Sequence, residues 1–332
     1  MTLTALFTMN RRLLSRLAFT LLAAATVWPA AQAQTFPTKN VRIVVPFGAG
    51  GVADLTARTV AGRLAEQLGQ SVVIENKPGA GGIGAADTVL KSEPDGHTLL
   101  LMSNGTAVSA GLFKSLPFDT LKDFAPISTL GTFDIAIMVP ADSRFKSLAE
   151  LLAFARANPG KLNVGSINIG STQNLAAELF KSNAAVDMQI VPFNGTPAVV
   201  TALRGGQIDA AVEILGPVMS QVNAKALRAL AVTGEKRSAA LPEVPTARES
   251  GLPNFVAASW NGLAAPARTP KPVIERLNRE VVAALNHPDV RRRLAELNVD
   301  AQASTPDQAS ALLASEVKRW GEVIVRARIP LQ

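Results

Sequence analysis

The feature that most constrains this chain is a repeated order of apolar run, glycine turn and amphipathic run. Val41–Pro46 is β-branched and continuous, the pattern of a strand buried on both faces. Gly48–Gly51 follows as a loop. A helix is predicted from about Asp54 to Leu68, with Ala57, Val60, Ala61, Leu64 and Leu68 at helical spacing and Gly69 as its stop. Ser71–Glu75 reads as the next strand, Gly79–Gly84 as a second glycine cluster opening a helix to about Lys91, and Thr98–Met102 as a third strand. Strands joined through helices predict an α/β fold with a parallel sheet and crossover connections.

A second unit begins near Asp134. Its predicted strands are Asp134–Val139, Leu162–Ser166, Gln189–Pro192, Ile208–Ile214 and Arg228–Val232. Its predicted helices run from the capping box Ser147–Glu150 to Ala157, from Gln173 to Lys181, and from Pro197 to Arg204. The C-terminal part reads as helical: Pro272–Asn286, Pro288–Leu297, and Thr305 to about Arg326, the last with an apolar stripe of Leu313, Val317, Trp320 and Ile324 that suits a core. A length of 332 residues accommodates two domains.

Composition narrows the chemistry. With no Cys, disulfides, thiol nucleophiles, Cys-based zinc sites and a lipid-bearing Cys are excluded. Two histidines, His97 and His287, far apart in the chain, give little scope for a metal site or a His-based triad. No G-x-S-x-G elbow and no H-E-x-x-H occurs. No catalytic residue, cofactor or metal is expected. Function must run on backbone amides, hydroxyls, side-chain amides and carboxylates.

The net charge of +7 belongs partly to an export leader. Arg11, Arg12 and Arg16 precede an uncharged stretch, Leu17 to Thr38, whose apolar heart breaks at Pro29 and ends in Ala31 and Ala33, the A-x-A spacing of a signal-peptidase site. Cleavage after Ala33 makes residues 1–33 a signal peptide and leaves Gln34–Gln332. A membrane anchor needs about 20 strongly apolar residues, and this stretch is shorter and Ala-rich. Met9 is an alternative start, and Leu13-Leu14-Ser15 after the arginine pair fits the twin-arginine signal poorly. Removing three Arg leaves 7 − 3 = +4, or 30 basic against 26 acidic residues. That mixture gives no argument for nucleic acid, and Arg291–Arg293 reads as a solvated helix face.

The glycine loops carry the strongest chemical signal. Gly48-Ala-Gly-Gly-Val-Ala53 matches G-x-G-x-x-A and Gly79-Ala-Gly-Gly-Ile-Gly84 matches G-x-G-x-x-G, each between strand and helix. Taken alone, either suits a dinucleotide. The wider physics is that a glycine turn into a helix start presents free N–H groups and a positive dipole end to any small anion. Glycines that only permit tight turns are the competing account. Gly165–Thr172 mimics a P-loop but has Ser171 where Lys is required.

A family resemblance rests on motifs in order: Val45-Pro-Phe-Gly-Ala-Gly-Gly-Val-Ala-Asp54, Glu75-Asn-Lys-Pro-Gly-Ala-Gly-Gly82, Pro94-Asp-Gly-His-Thr-Leu-Leu100, Asp123-Phe-Ala-Pro126, Val191-Pro-Phe-Asn-Gly-Thr196, Gly205-Gly-Gln-Ile-Asp209, Leu227-Arg-Ala-Leu-Ala-Val232, Leu241-Pro-Glu-Val-Pro-Thr246 and Ser259-Trp-Asn-Gly-Leu-Ala-Ala-Pro266. With these, the chain resembles the Bug (TctC-type) solute-binding receptors of tripartite tricarboxylate transport systems over essentially all of the mature sequence. The resemblance implies a two-domain periplasmic-binding-protein fold of type II, the Venus-flytrap form, with a ligand cleft between domains. Domain 1 would comprise 34–136 and 256–332, domain 2 would comprise 137–255, and the crossings near Ile135–Val139 and Ala257–Leu263 would be the hinge.

It further implies a periplasmic monomer without stable membrane insertion. That monomer would carry a small carboxylate (a di- or tricarboxylate, aromatic acid or amino acid) to integral-membrane transporter subunits. The ligand would be held by backbone amides and ordered water more than by salt bridges. Positions matching the family's binding loops are Phe47, Gly48, Ala49, Gly50 and Asp54, then Ser103, Asn104 and Thr106. On domain 2 they are Ser166, Gly170, Ser171, Thr172, Phe193, Asn194, Gly195, Thr196 and Glu213. On chemical grounds Phe47 and Phe193 would be apolar walls, Ser171 and Thr172 donors, Asp54 a helix-start carboxylate, and Glu213 either a selector of an amino or hydroxyl group or a residue outside the pocket. Three positions depart from the family pattern: Gly48 replaces a more hindered residue and would loosen its loop, Asn174 replaces a frequent His, and His97 a frequent Tyr. A ligand-sensing adaptor of a signalling system and a secreted dinucleotide-dependent enzyme are the alternative readings.

Overall fold

Three apolar runs, each followed closely by a glycine, build the first half of the fold. In the computed structural model, which describes residues 36–332, the order is β1 (Val41–Val45), α1 (Val52–Leu68), β2 (Val72–Asn76), a 3₁₀ turn at Ala80–Gly82, α2 (Ile83–Leu90), β3 (Thr98–Ser103) and α3 (Asn104–Leu112). β1 runs parallel to both β2 and β3, with Val41 opposite Val72 and Ile43 opposite Leu99. α1 stops at Gly69, whose left-handed backbone (φ 65°) a side chain would strain.

β4 (Phe124–Pro140) then crosses into the second half, which continues through α4 (Leu148–Ala157), β5 (Asn163–Ile167), α5 (Thr172–Ala184), β6 (Gln189–Phe193), α6 (Thr196–Arg204), β7 (Ala210–Ile214), α7 (Leu215–Asn223) and β8 (Leu227–Val232). The chain returns through β9 (Ala258–Pro266) and closes with α8 (Lys271–Asn286), α9 (Pro288–Glu296), β10 (Val299–Ala301) and α10 (Pro306–Arg326). Strand order is β2-β1-β3-β9-β4-β7-β5-β6, with β8 and β10 also on β4. From Lys39 to Gln332 the chain is one body.

β4 is the join. Phe124–Asp134 pairs antiparallel with β9, and Ile135–Pro140 pairs antiparallel with β7 and β8. Its partners therefore change between Asp134 and Ile135. Register shifts at Pro126/Ser128, Thr129/Gly131 and Ile137/Met138 bend and twist the strand along its length. Parallel strands flank it on both sides, β1–β3 in one half and β5–β7 in the other. The all-parallel expectation is thus corrected at the centre of the sheet, where β9 and β4 run antiparallel to their neighbours. Both strands lack a clean signature: β4 carries Pro126 and Gly131, and β9 carries Gly262 and a run of small residues. α3 and α7 were hidden by Gly105, Gly111, Gly216 and Pro217, which lower helix propensity. At Gly216 the reason for glycine is contact: a Cβ there would overlap the Leu297 carbonyl oxygen.

Helices cover both faces with buried apolar stripes. Val60, Ala61 and Leu64 of α1, Leu277 and Val281 of α8, and Leu313, Trp320 and Ile324 of α10 are each under a tenth exposed. A full Leu or Ile burial of this kind stabilises by roughly 1.5–3 kcal/mol. Among the described residues no helix is long and apolar enough to cross a membrane. The expected leader, residues 1–33 with its cut after Ala33, lies outside the described residues.

Candidate ligand site

Four helix starts border the line where the two half-sheets meet, and they fall into two kinds. α3 caps itself: Ser103 Oγ accepts from the Gly105 N–H at 3.1 Å, and Thr106 Oγ1 accepts from the Ser103 N–H at 3.0 Å. α5 does likewise, since Ser171 Oγ accepts from the Asn174 N–H at 3.1 Å and donates to the Ile167 carbonyl at 3.3 Å. α1 and α6 begin at Gly51 and Gly195, which have no capping side chain. The N–H groups of the first turn of α1 are therefore left open; in α6, Pro197 has no N–H and the Ala198 N–H donates to the Gly195 carbonyl at 3.1 Å, so the Thr196 N–H is what that start offers.

The open starts line one cavity. Gly48, Gly51, Val52 and Ala53 enter it from α1 and its loop, and Gly195 and Thr196 from α6. Phe47, Phe133, Ile167 and Ile214 supply apolar wall; Ser103, Thr172, Gln173, Ser259 and Asn261 supply polar groups. Thr172 Oγ1 and Ser259 Oγ meet at 3.0 Å across the two half-sheets. The Nδ2 of Asn261, itself 1% exposed, is buried and has no hydrogen-bond partner among the described residues. The space open to the centre of a water molecule is about 20 Å³, close to the minimum for one water. Anything larger than a water molecule therefore enters only when the walls separate. Grooves of about 720 and 910 Å³ lie elsewhere, on the β8 face and between α5 and α10; the first borders only the start of α4, which Ser147 caps, and the second borders none.

Two acids stand behind this wall. Asp54 accepts from the Gly50 N–H and from Arg58 Nε, both at 2.9 Å. Burial alone would raise its carboxyl, but those bonds outweigh it and hold the group below its ordinary value. Asp54 thus braces the first glycine loop. Glu213 is 1% exposed and accepts from Thr196 Oγ1 at 2.5 Å and Gln173 Nε2 at 3.2 Å. Burial pushes its carboxyl up to about 7, against the opposing pull of those bonds.

The structure distributes the expected residues over several places. Phe47, Gly48, Ser103, Thr172, Gly195 and Thr196 line the cavity with the uncapped helix starts. Thr106, Gly170 and Ser171 line a neighbouring one of similar size, with Phe47 between the two. Gly50 and Asp54 form the loop brace, and Ala49 is exposed. Asn104 accepts from Trp320 Nε1 at 2.7 Å and donates to the Ala258 carbonyl at 3.3 Å, tying α3 to α10 and β9. Ser166 accepts from Asn174 Nδ2 at 3.1 Å. Phe193 packs against the second half's apolar core, and Ile167 and Ile214 are the cavity wall on that side. Glu213 lies behind Thr196 and Gln173 and is not part of the lining.

Gly48 is held more tightly than a loosened loop implies. A Cβ built there would meet the Asn194 carbonyl oxygen at 2.5 Å, so this glycine lets the two loops abut backbone to backbone. The second glycine cluster joins the same seam, because the Gly81 N–H donates to the Ile169 carbonyl at 2.8 Å. Gln173, Ser259 and Asn261 were not foreseen in the site. The last two sit inside the Ser259–Pro266 motif, but without β9 recognised as a strand nothing placed them.

Comparison with known proteins gives the family and the fold. The family model described as the tripartite tricarboxylate transporter family receptor matches residues 56–329. A protein encoded in the tcbD-tcbE intergenic region of Pseudomonas sp. strain P51 is 37% identical, covering 96% of this chain and 95% of that protein. The periplasmic binding protein BugD superposes with a TM-score of 0.86 at 30% identity, over 90% of this chain and all of that one. MatC of Rhodopseudomonas palustris, solved with bound malate, gives a TM-score of 0.83 at 35% identity, over 87% of this chain and 100% of its own. The α/β architecture is that of the periplasmic binding proteins.

Proposed function

Because the chain belongs to the tripartite tricarboxylate transporter family of receptors, we propose that it is an exported periplasmic receptor that closes two domains over a small carboxylate and delivers it to the membrane subunits of such a transporter. The family is one of receptors and not of catalysts, and the dinucleotide reading of the glycine loops gives way to anion capture. The observation that carries the proposal is the pair of uncapped helix starts, α1 and α6, entering one cavity from opposite half-sheets. A carboxylate placed there satisfies orphan N–H groups and faces two positive dipole ends. The malate held by MatC is a ligand of the same class.

The domains are 34–136 with 256–332, and 137–255. The change of β4 partners between Asp134 and Ile135, and the start of β9 at Ala258, support hinges at Ile135–Val139 and Ala257–Leu263. Closure follows because the ligand touches both helix starts only when the halves meet, which shifts the population toward the closed form.

Thermal unfolding of the leader-free chain against dicarboxylates, tricarboxylates, aromatic acids and amino acids tests the proposal. A ligand at a hundred times its Kd should stabilise by about 2.7 kcal/mol and raise the melting temperature. No shift with any carboxylate, together with native mass spectrometry showing no bound acid, would overturn it.

A further inference from the structure

The polar groups of the cavity are not interchangeable. From the first half-sheet, Asn261 offers a buried amide Nδ2 with no partner, beside the open N–H groups of Gly51, Val52 and Ala53. All of these are donors. From the second half-sheet comes Thr196, whose hydroxyl proton is directed away from the cavity to Glu213 Oε2 at 2.5 Å. A threonine hydroxyl has one proton, so what Thr196 has left to offer is its lone pairs. Gln173 likewise turns its Nε2 toward Glu213 Oε1.

We infer that the cavity takes a carboxylate that also bears a hydroxyl or amino group: Asn261 donates to the carboxylate, and Thr196, oriented by Glu213, accepts from the substituent. Glu213 is then a positioning residue acting through Thr196, while Asn261 and Thr196 touch the ligand. This rests on the carboxylate-receptor reading and adds to it a requirement on the ligand's second functional group. Were Glu213 to carry a proton, its own O–H would donate to Thr196, and the threonine proton would be released to turn into the cavity. The groups set against Glu213 are Gln173 of α5, Thr196 of α6 and Ala136 of β4, none of them charged, so its own proton decides the wall's polarity. Because burial raises that carboxyl to about 7, the change falls near neutral pH.

Calorimetric titration with matched pairs tests this: succinate against malate and aspartate, and tricarballylate against citrate. The unmodified chain at pH about 8.5 should bind the substituted member at least about tenfold more tightly, the worth of one buried hydrogen bond. For aspartate, whose ammonium can only donate, that preference should shrink as pH falls through about 7, whereas the hydroxyl of malate or citrate can also accept from Thr196 and should keep its own. Glu213→Gln, whose amide can donate to Thr196, should lose the preference for aspartate over succinate and its pH dependence. Asn261→Ala should weaken every carboxylate by about tenfold and leave the preference intact. Equal affinity within each pair overturns the inference while leaving the receptor reading standing, whereas no binding by any acid overturns the receptor reading itself. The matched pairs on the unmodified chain decide the matter even if a variant does not fold.

Discussion

Two of the helix starts at the cleft, α3 and α5, look like ligand donors in the sequence, with Ser103, Thr106, Ser171 and Thr172 clustered there. The other two, α1 and α6, offer glycine. The hydroxyls of the first pair turn inward: Ser103, Thr106 and Ser171 satisfy their own helices. The glycines of the second pair cap nothing, and so leave their helix ends to a ligand. What matters at an anion site is therefore which N–H groups remain unpaired, and a hydroxyl in the motif can be the very thing that closes them.

The strongest way to break this contrast is to convert an open start into a self-capped one. Gly51 has an extended backbone (φ −82°, ψ 168°), and a Cβ there meets nothing closer than 3.5 Å. Gly51→Asp should cap α1, keep or raise stability by about 1 kcal/mol, and put a carboxylate where the ligand's belongs. Affinity should fall about a thousandfold, roughly 4 kcal/mol. Titration and melting curves together check it; retained binding would mean that the start of α1 is not the anion site.

Next comes the acid behind Thr196. Its folded value of about 7 lies above the ordinary 4.5, so the contribution to stability is complete below pH 4.5 and is lost as pH rises through 7. The span is roughly 3 kcal/mol. Urea unfolding at about pH 5 and about pH 8.5 should show Glu213→Gln gaining on the unmodified chain at the higher pH by that amount. Parallel pH curves would place Glu213 in a wetter setting than its burial indicates.

Smaller effects sharpen the picture. Gly48→Ala forces a Cβ against the Asn194 carbonyl only when the loops abut, so it should weaken binding by roughly tenfold and leave the melting temperature of the ligand-free chain nearly unchanged. Ser171→Ala removes a cap and should cost about 1 kcal/mol of stability with little change in affinity. Ser171→Ala weakening binding more than Gly48→Ala would reverse the ranking of the two kinds of helix start.

Legibility in the sequence followed the strength of local pattern. β1, α1, β2, β3 and the second half's strands carried β-branched runs or helical spacing, and they stand within a few residues of where the pattern put them. β9 and the first part of β4 did not, because Ala264–Ala265, Gly262, Pro126 and Gly131 give neither alternation nor propensity; their strand form comes from pairing with each other. The glycine loop at Gly48 was readable as a candidate anion cradle, whereas Gly195 stood out only through the family resemblance. Asn261 did not, since its place between β3 and β4 is a matter of register. Nor could the sequence tell that Glu213 reaches Thr196, seventeen residues earlier, and stays out of the cavity lining.

The bond from Trp320 to Asn104 has an optical consequence. The chain contains no tyrosine, so near-ultraviolet emission comes from indoles alone, and the two among the described residues are Trp260 and Trp320. Trp260 stands between Ser259 and Asn261, both of which line the cavity, and Trp320 is anchored to the first residue of α3, just after Ser103. Any movement of β9 or α3 changes the surroundings of one of these two rings. The protein carries its own fluorescent label, and the proposed capture of a colourless acid would be read in real time by the light of these two tryptophans.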